Sequence, residues 1–358
     1  MDYQVLWFII VGFLLTGYAI LDGFDLGVGA LHLFAKGDHD RRILLNSIGP
    51  VWDGNEVWLV TAGGALFAAF PHVYATAFSG FYLPFMILLF ALIFRAVSIE
   101  FRSKEDMKGW RKFWDVAFSI GSIFAALLFG VAIGNVIMGF KIGSDMEYQG
   151  SFLDLISPYT VLTGVFNLIM FSMHGAIYLN LKTEGQLKER VKRWAFRAYY
   201  IFVPFYAITT FFTMLKRPEM LANFSFGLIE HIDEPHPLIA HNQIIVSVIA
   251  WIVVVLNALA ILNIHRSLVK SKPLNAFVSS ALMMMAIILF FALGLFPNMM
   301  VSNLSPEYNL DIYNSASSDY TLKTMFILAC IGLPFVLGYT SIIYWTYRGV
   351  TKITDTSY

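Results

Sequence analysis

Six ionisable side chains stand inside or at the edge of long apolar runs, and their spacing defines what chemistry they can do. The stretch LDGFDLG carries Asp22 and Asp25, three residues apart and therefore on one face of a helix. VWDGNEVW repeats that spacing with Asp53 and Glu56, between Trp52 and Trp58, which read as anchors at a membrane interface. FRAVSIEFR adds Arg95 and Glu100. A charge at bilayer depth costs roughly 2.5 to 3.5 kcal/mol on insertion scales, so a chain that keeps several gains something from them. Carboxylates in a low dielectric hold protons up to near-neutral pH, and a neighbouring arginine opposes that shift. Glu100, Asp53, Glu56, Arg95, Asp25 and Asp22 thus read as a ladder for protons, from one membrane surface toward the bilayer centre. The bland alternative is that Arg95 neutralises one aspartate and the other acids only bond neighbouring helices. One guanidinium, however, cannot balance four carboxylates in hydrocarbon.

The elements that must position these groups follow from composition. Of 358 residues, 58% are hydrophobic and 13% charged, against the roughly 25% charged of a soluble domain, and mean hydropathy is +0.68. A net charge of +0 provides no basic surface, so nucleic acid is not a partner. The single cysteine, Cys330, excludes an internal disulfide framework and a CxxC metal knuckle, and no metal site is expected. Nine apolar runs are long enough to span a bilayer: 6–34, 51–70, 74–101, 113–140, 160–181, 198–215, 242–264, 276–296 and 322–347. The first is too long for a cleavable signal peptide and no small-residue cleavage site follows it, so it counts as a span. Nineteen of the 24 Lys and Arg fall in alternate loops and the C-terminal tail. Because basic residues resist translocation, that pattern predicts an outside N-terminus and a cytoplasmic C-terminus. The expected fold is an all-α polytopic membrane protein, a single transmembrane domain over 1–358. It divides into two four-helix bundles, 1–141 with the ionisable cluster and 159–297, plus a peripheral ninth helix at 322–347.

Measured along a helix at about 1.5 Å per residue, Asp25 lies about 13 Å and Asp22 about 18 Å inside the cytoplasmic end of the first span. Gly23, Gly27 and Gly29 of that span, and Gly54, Gly63 and Gly64 of the second, are expected to allow close helix contact and room for water. Of the eight histidines (His32, His39, His72, His174, His231, His236, His241 and His265), His174 lies well inside a span. A bond to a neighbouring helix is favoured for it over a haem or metal. Met283, Met284 and Met285 are consecutive, point to several faces, and read as packing. The outer loops are too short to hold a separate domain, and no internal repeat is evident.

These residues bring the chain into resemblance with a known family, the second subunit of cytochrome bd-type quinol oxidases. GYAILDGFDLGVG, RRILLNSIGPVWDGNEVWLVTAGGALFAAFP, AFSGFYLPFMILLFALIFRAVSIEFRSK and FGVAIGNVIMG follow one another in family order. SPYTVLTGVFNLIMFSMHGAIYLNLKTEG and SSDYTLKTMFILACIGLPFVLGYTSIIYWTYRG resemble later blocks, while 203–275 agree in hydropathy alone. The resemblance implies a membrane complex that oxidises quinol and reduces dioxygen to water. It also implies a haem-bearing first subunit holding haem b and haem d, and in some members a small single-span third chain. The second subunit would carry no haem, support haem assembly and supply protons, and in some members hold a quinone or lipid structurally. By motif position, the proton-path aspartate of DGFD falls on Asp25, the aspartate of WDGN on Asp53 and the arginine of FR on Arg95. Asp22 and Glu56 join by position alone.

The expected function is therefore a haem-free, proton-supplying subunit of a quinol:dioxygen oxidoreductase in the bacterial cytoplasmic membrane, electrogenic without a pump cycle. A purely structural scaffold is one alternative and a proton-coupled secondary transporter another. Against the transporter stand the clustering of charges near one membrane face and the lack of a matching broken-helix pair in a second half.

Overall fold

The computed structural model describes residues 2–227 and 237–353, with side chains described from residue 243 onward in the second stretch. His231, His236 and the side chain of His241 lie outside the described residues. Among the described residues eleven α-helices follow in order: α1 Tyr3–Leu31, α2 Gly37–Ile48, α3 Trp52–Ala69, α4 Pro71–Gly80, α5 Tyr82–Phe101, α6 Lys108–Met138, α7 Pro158–Lys182, α8 Gly185–Lys216, α9 Pro237–Val269, α10 Pro273–Leu295 and α11 Asp319–Thr346. Among the described residues, eight of these helices are long and apolar enough to cross a membrane: α1, α5, α6, α7, α8, α9, α10 and α11. α3, the second expected span, is a helix of 18 residues that falls short of that apolarity, because Asp53, Asn55, Glu56 and three glycines occupy it.

The third expected span, 74–101, is not one helix. It divides between α4 and α5 at Phe81, because Pro84 has no N–H to give the Gly80 carbonyl and its ring crowds that carbonyl. Pro71 likewise ends α3, holding Phe70 at φ −132° and ψ 67°. The expected sixth span, 198–215, is the second half of α8. The helix begins at Gly185, so Lys188, Arg190, Lys192, Arg193 and Arg197 stand on its opening turns and not on a loop.

α1 is the central element, packed against α3, α6, α7 and α10 and touched by α11. Every residue from Asp22 to Leu31 is buried. Around it lies a core of Leu26, Phe171, Met173, Ile177, Phe202, Met283 and Met284, so two of the three consecutive methionines are packing residues as expected. α11 buries Leu322 alone and lies at the periphery. At one end, a two-stranded antiparallel ribbon, β1 Asn298–Met300 and β2 Leu310–Asp311, ties down the long loops. There the Phe140 N–H donates to the Val301 carbonyl at 2.8 Å and the Ser302 hydroxyl to the Ile142 carbonyl at 2.8 Å.

The glycines divide into two groups. A Cβ on Gly27 would lie 1.9 Å from the Phe171 carbonyl oxygen, and one on Gly175 would lie 2.5 Å from the Gly27 backbone, so α1 and α7 cross where both lack side chains. Gly54, Gly63 and Gly64 have nothing within 4 Å of that position, which corrects the expectation that they mediate helix contact within this chain. Trp58 also departs from its expected place at an interface. It is 6% exposed and covers Gly17 within the core formed with Leu14, Tyr18 and Ala62.

Gly175→Val is expected to force the α1–α7 crossing apart and cost at least about 1 to 3 kcal/mol, as overpacking does. Gly63→Ala is expected to be neutral. Thermal unfolding of the two purified variants in complex checks the contrast.

Candidate functional site

Burying Asp22 and Asp25 obliges α3 and α5 to supply partners. Asp22, Asp25 and Arg95 are each 0% exposed. Arg95 Nη2 donates to Asp22 Oδ1 at 2.8 Å, and its Nη1 pairs with Glu56 Oε1. The guanidinium carbon also lies 6.0 Å from the centre of the Trp52 ring, within the reach of a cation–π contact. Asp25 is served differently. Asn55 Nδ2 donates to Asp25 Oδ2 at 2.7 Å and to the Leu21 carbonyl at 3.2 Å, and Asn55 Oδ1 accepts from the Tyr344 hydroxyl at 2.9 Å. The peripheral α11 thus reaches the site through one phenol.

Three carboxylates consequently share one guanidinium. Asp25 Oδ1 and Arg95 Nε are buried without a protein hydrogen-bond partner, and the buried Tyr18 hydroxyl, one turn before Asp22, faces the Asp22 carboxyl. Polar atoms in that state call for water or a proton. Glu56 keeps 25% of its side chain exposed and is the carboxyl of the group that reaches the surface of this chain.

The structure brings together Asp22, Glu56 and Arg95 by direct bonds, with Asp25 one helical turn from Asp22. Asp53 stands exposed on α3, one turn before Glu56, and Glu100 is exposed near the end of α5. Neither makes an ion pair among the described residues, so the unbroken ladder expected from the sequence is a compact cluster with two outlying carboxylates. Asn55, Tyr18 and Tyr344 were missed. Their signal was weak, since neutral residues in apolar runs carry no insertion cost that would mark them out.

A second cluster, also missed, closes the neighbouring end of the bundle. Asp115 is 1% exposed and accepts at both oxygens. Oδ1 takes Arg102 Nε at 2.5 Å and pairs with His32 Nε2 at 2.6 Å, and Oδ2 takes Arg41 Nη1 at 2.8 Å and Arg102 Nη2 at 3.3 Å. Arg102 Nη2 continues to Asp38 Oδ1 at 2.7 Å, and Arg111 Nη1 reaches Asp38 Oδ2 at 3.3 Å. The turn after α1, the helix α2, the end of α5 and the start of α6 are thereby pinned to one carboxylate. The available signal was Asp115 itself, an acid two residues into the fourth apolar run.

His174 follows the reading favoured for it. Nε2 lies 3.1 Å from the Ile20 carbonyl and Nδ1 2.7 Å from the Ser280 hydroxyl, and the ring stacks on Phe277, so the imidazole joins α7 to α1 and α10. Both ring nitrogens are engaged within the protein, which leaves neither for a haem iron. Among the described residues no group of three His, Cys, Asp or Glu is placed to hold a metal ion.

Asp115→Asn is expected to cost about 3 to 5 kcal/mol, as breaking a buried ion network from one side does. The guanidinium of Arg102 would be left buried against a neutral amide. The thermal midpoint of the purified complex should fall by several degrees, and His32→Gln, which keeps a side-chain donor near the carboxylate, should lower it less.

Residues 3–347 match the family model described as cytochrome bd terminal oxidase subunit II. The chain is 37% identical to cytochrome bd-I ubiquinol oxidase subunit 2 of Escherichia coli, over 98% of this chain and 97% of that protein. It is 36% identical to cytochrome bd ubiquinol oxidase subunit 2 of Bacillus subtilis, over 96% and 95% of the two. Among solved structures, a chain of the bd oxidase from Geobacillus thermodenitrificans superposes with a TM-score of 0.73 at 17% identity, covering 97% of this chain and 99% of that one. The match along almost the whole length establishes that this chain belongs to the cytochrome bd terminal oxidase subunit II family, as a membrane-embedded subunit of an oxidoreductase complex.

Proposed function

We propose that this chain supplies protons to the haem-bearing subunit of a quinol:dioxygen oxidoreductase. The observation that supports the reading most directly is the charge balance of the buried cluster. Among the described residues Asp22 and Glu56 bond Arg95 while Asp25 bonds the neutral Asn55, so three carboxyls face one guanidinium, and the two positive charges still missing in so low a dielectric are supplied by resident protons. A cluster that stores protons and reaches the surface of the chain through one partly exposed carboxyl, Glu56, is a relay station.

In this reading nine helices span the membrane, with α3 as the second span and α4 and α5 together as the third. The N-terminus is outside and the C-terminus cytoplasmic, so Asp53 and Glu100 stand at the cytoplasmic mouth. Protons pass from Asp53 to Glu56, then by Asp22 and Arg95 to Asp25, and leave for the partner subunit, where dioxygen is reduced at its haems b and d. Arg95 does not itself carry the proton. It keeps the carboxylates within reach of one another and sets how tightly each holds its charge. Quinol oxidised on the outer side releases its protons there, so uptake through this chain from inside makes turnover electrogenic without a pump cycle. The rigid packing of α1 also fits a supporting role in haem assembly.

Complexes carrying Asp25→Asn or Glu56→Gln, purified with full haem content, are expected to lose about 100-fold in oxidase turnover, the scale of removing a positioned proton-transfer group. Haem reduction by quinol in the absence of oxygen should be unchanged. Proton uptake during single turnover, followed with a pH dye, checks the step directly. Normal turnover in both variants would reduce the chain to a scaffold.

A further inference from the structure

α9 and α10 run antiparallel and leave a groove between them on the outer face of the molecule, a cavity of about 450 Å³. Its two ends differ in chemistry. From Val253 past Leu256, Leu282 and Leu289 the lining is aliphatic, and at the end nearest the α9–α10 turn it becomes Asn263, Ser279 and Arg266. Asn263 Nδ2 donates to Ser279 Oγ at 2.8 Å, and Ser279 donates to the Asn275 carbonyl at 2.7 Å, so these two are occupied with each other and with the backbone. Arg266 is exposed and makes no ion pair among the described residues. Lys270 and Lys272 follow it in the turn. From Gln243 through Pro306 the sequence contains no Asp or Glu, so no acid along α9 or α10 neutralises these three cations.

We propose that this groove binds one anionic phospholipid, with the phosphate at Arg266 and an acyl chain laid along the aliphatic floor. Length agrees with that occupant. The helix from Val253 to Arg266 rises about 20 Å, comparable with the roughly 15 Å of one leaflet of a 30 Å hydrocarbon core plus a headgroup. Charge decides between lipids. Either headgroup offers Arg266 a phosphate, but a zwitterionic one also brings an ammonium that Arg266, Lys270 and Lys272 repel, whereas a headgroup of net negative charge meets the two lysines as a secondary field. A quinone has an apolar tail that would suit the floor, but its neutral ring offers nothing to Arg266. Binding itself is independent of the proton pathway. The assignment of the headgroup to the cytoplasmic leaflet alone rests on the orientation proposed above.

Native mass spectrometry of the whole complex tests this, after exchange into bilayers of equal dioleoylphosphatidylglycerol and dioleoylphosphatidylcholine. The wild type should retain one phosphatidylglycerol adduct. Arg266→Gln should reduce the preference for phosphatidylglycerol over phosphatidylcholine about fivefold, the effect of one basic residue at a membrane surface. Leu282→Trp, which fills the groove from an exposed position, should remove the adduct whichever headgroup it carries. Haem content and thermal midpoint serve as folding controls for both variants. Equal retention of phosphatidylglycerol by wild type and both variants would overturn the proposal. So would no preference in the wild type, a quinone adduct, or an empty groove covered by another subunit.

Discussion

One arginine carries the electrostatic burden of three helices. Arg95 on α5 bonds Asp22 of α1 and Glu56 of α3, and no other cation reaches that interior among the described residues. Removing a charged group from water costs several kcal/mol even after relaxation, and partial pairing leaves part of that cost unmet. α3 takes its place beside α1 because its acid needs that guanidinium, and Asn55 then falls within hydrogen-bond distance of Asp25. The position of every polar group in the site thus descends from a single ion triad.

The two buried clusters show how the same residue types yield opposite properties. Asp115 meets Arg41, Arg102 and His32 at both oxygens, so it is saturated with donors and holds its neighbours in place. Asp25 keeps one oxygen unbonded, and Asp22, Asp25 and Glu56 together are short of cations. Saturation makes a fastener and deficit makes a site that can accept a proton. About ten residues of α1, roughly 15 Å, separate Asp22 from His32. Phe118 and Ile99, both buried, belong to the apolar core at that end.

Much of this was legible in the sequence, because apolar runs and intramembrane charges are strong signals. Asp22, Asp25, Glu56 and Arg95 were marked by their insertion cost, and they meet. Asp53 and Glu100 were marked by the same rule and remain apart, since spacing along one helix says nothing about which way a neighbouring helix is turned. Asn55 and Tyr344 lie 289 residues apart and are joined by a 2.9 Å bond that no local pattern anticipates. The break at Phe81 was readable from Pro84, but a continuous apolar run hid it. Asp115 was obscured for a related reason. It lies so near the predicted edge of a span that it passes for a surface acid, and the cations that bury it come from three separate segments.

The low apolarity of α3 bears on how the chain is made. This helix leaves the ribosome ahead of α5, so Glu56 is delivered to the translocation machinery 39 residues before the guanidinium that pairs with it. Asp22 precedes that guanidinium by 73 residues. Neither acid has a counterion in the interval, and α3 lacks the oiliness to partition into lipid unaided. Stable burial of both acids therefore waits on the synthesis of Arg95, the one charge that each of them bonds.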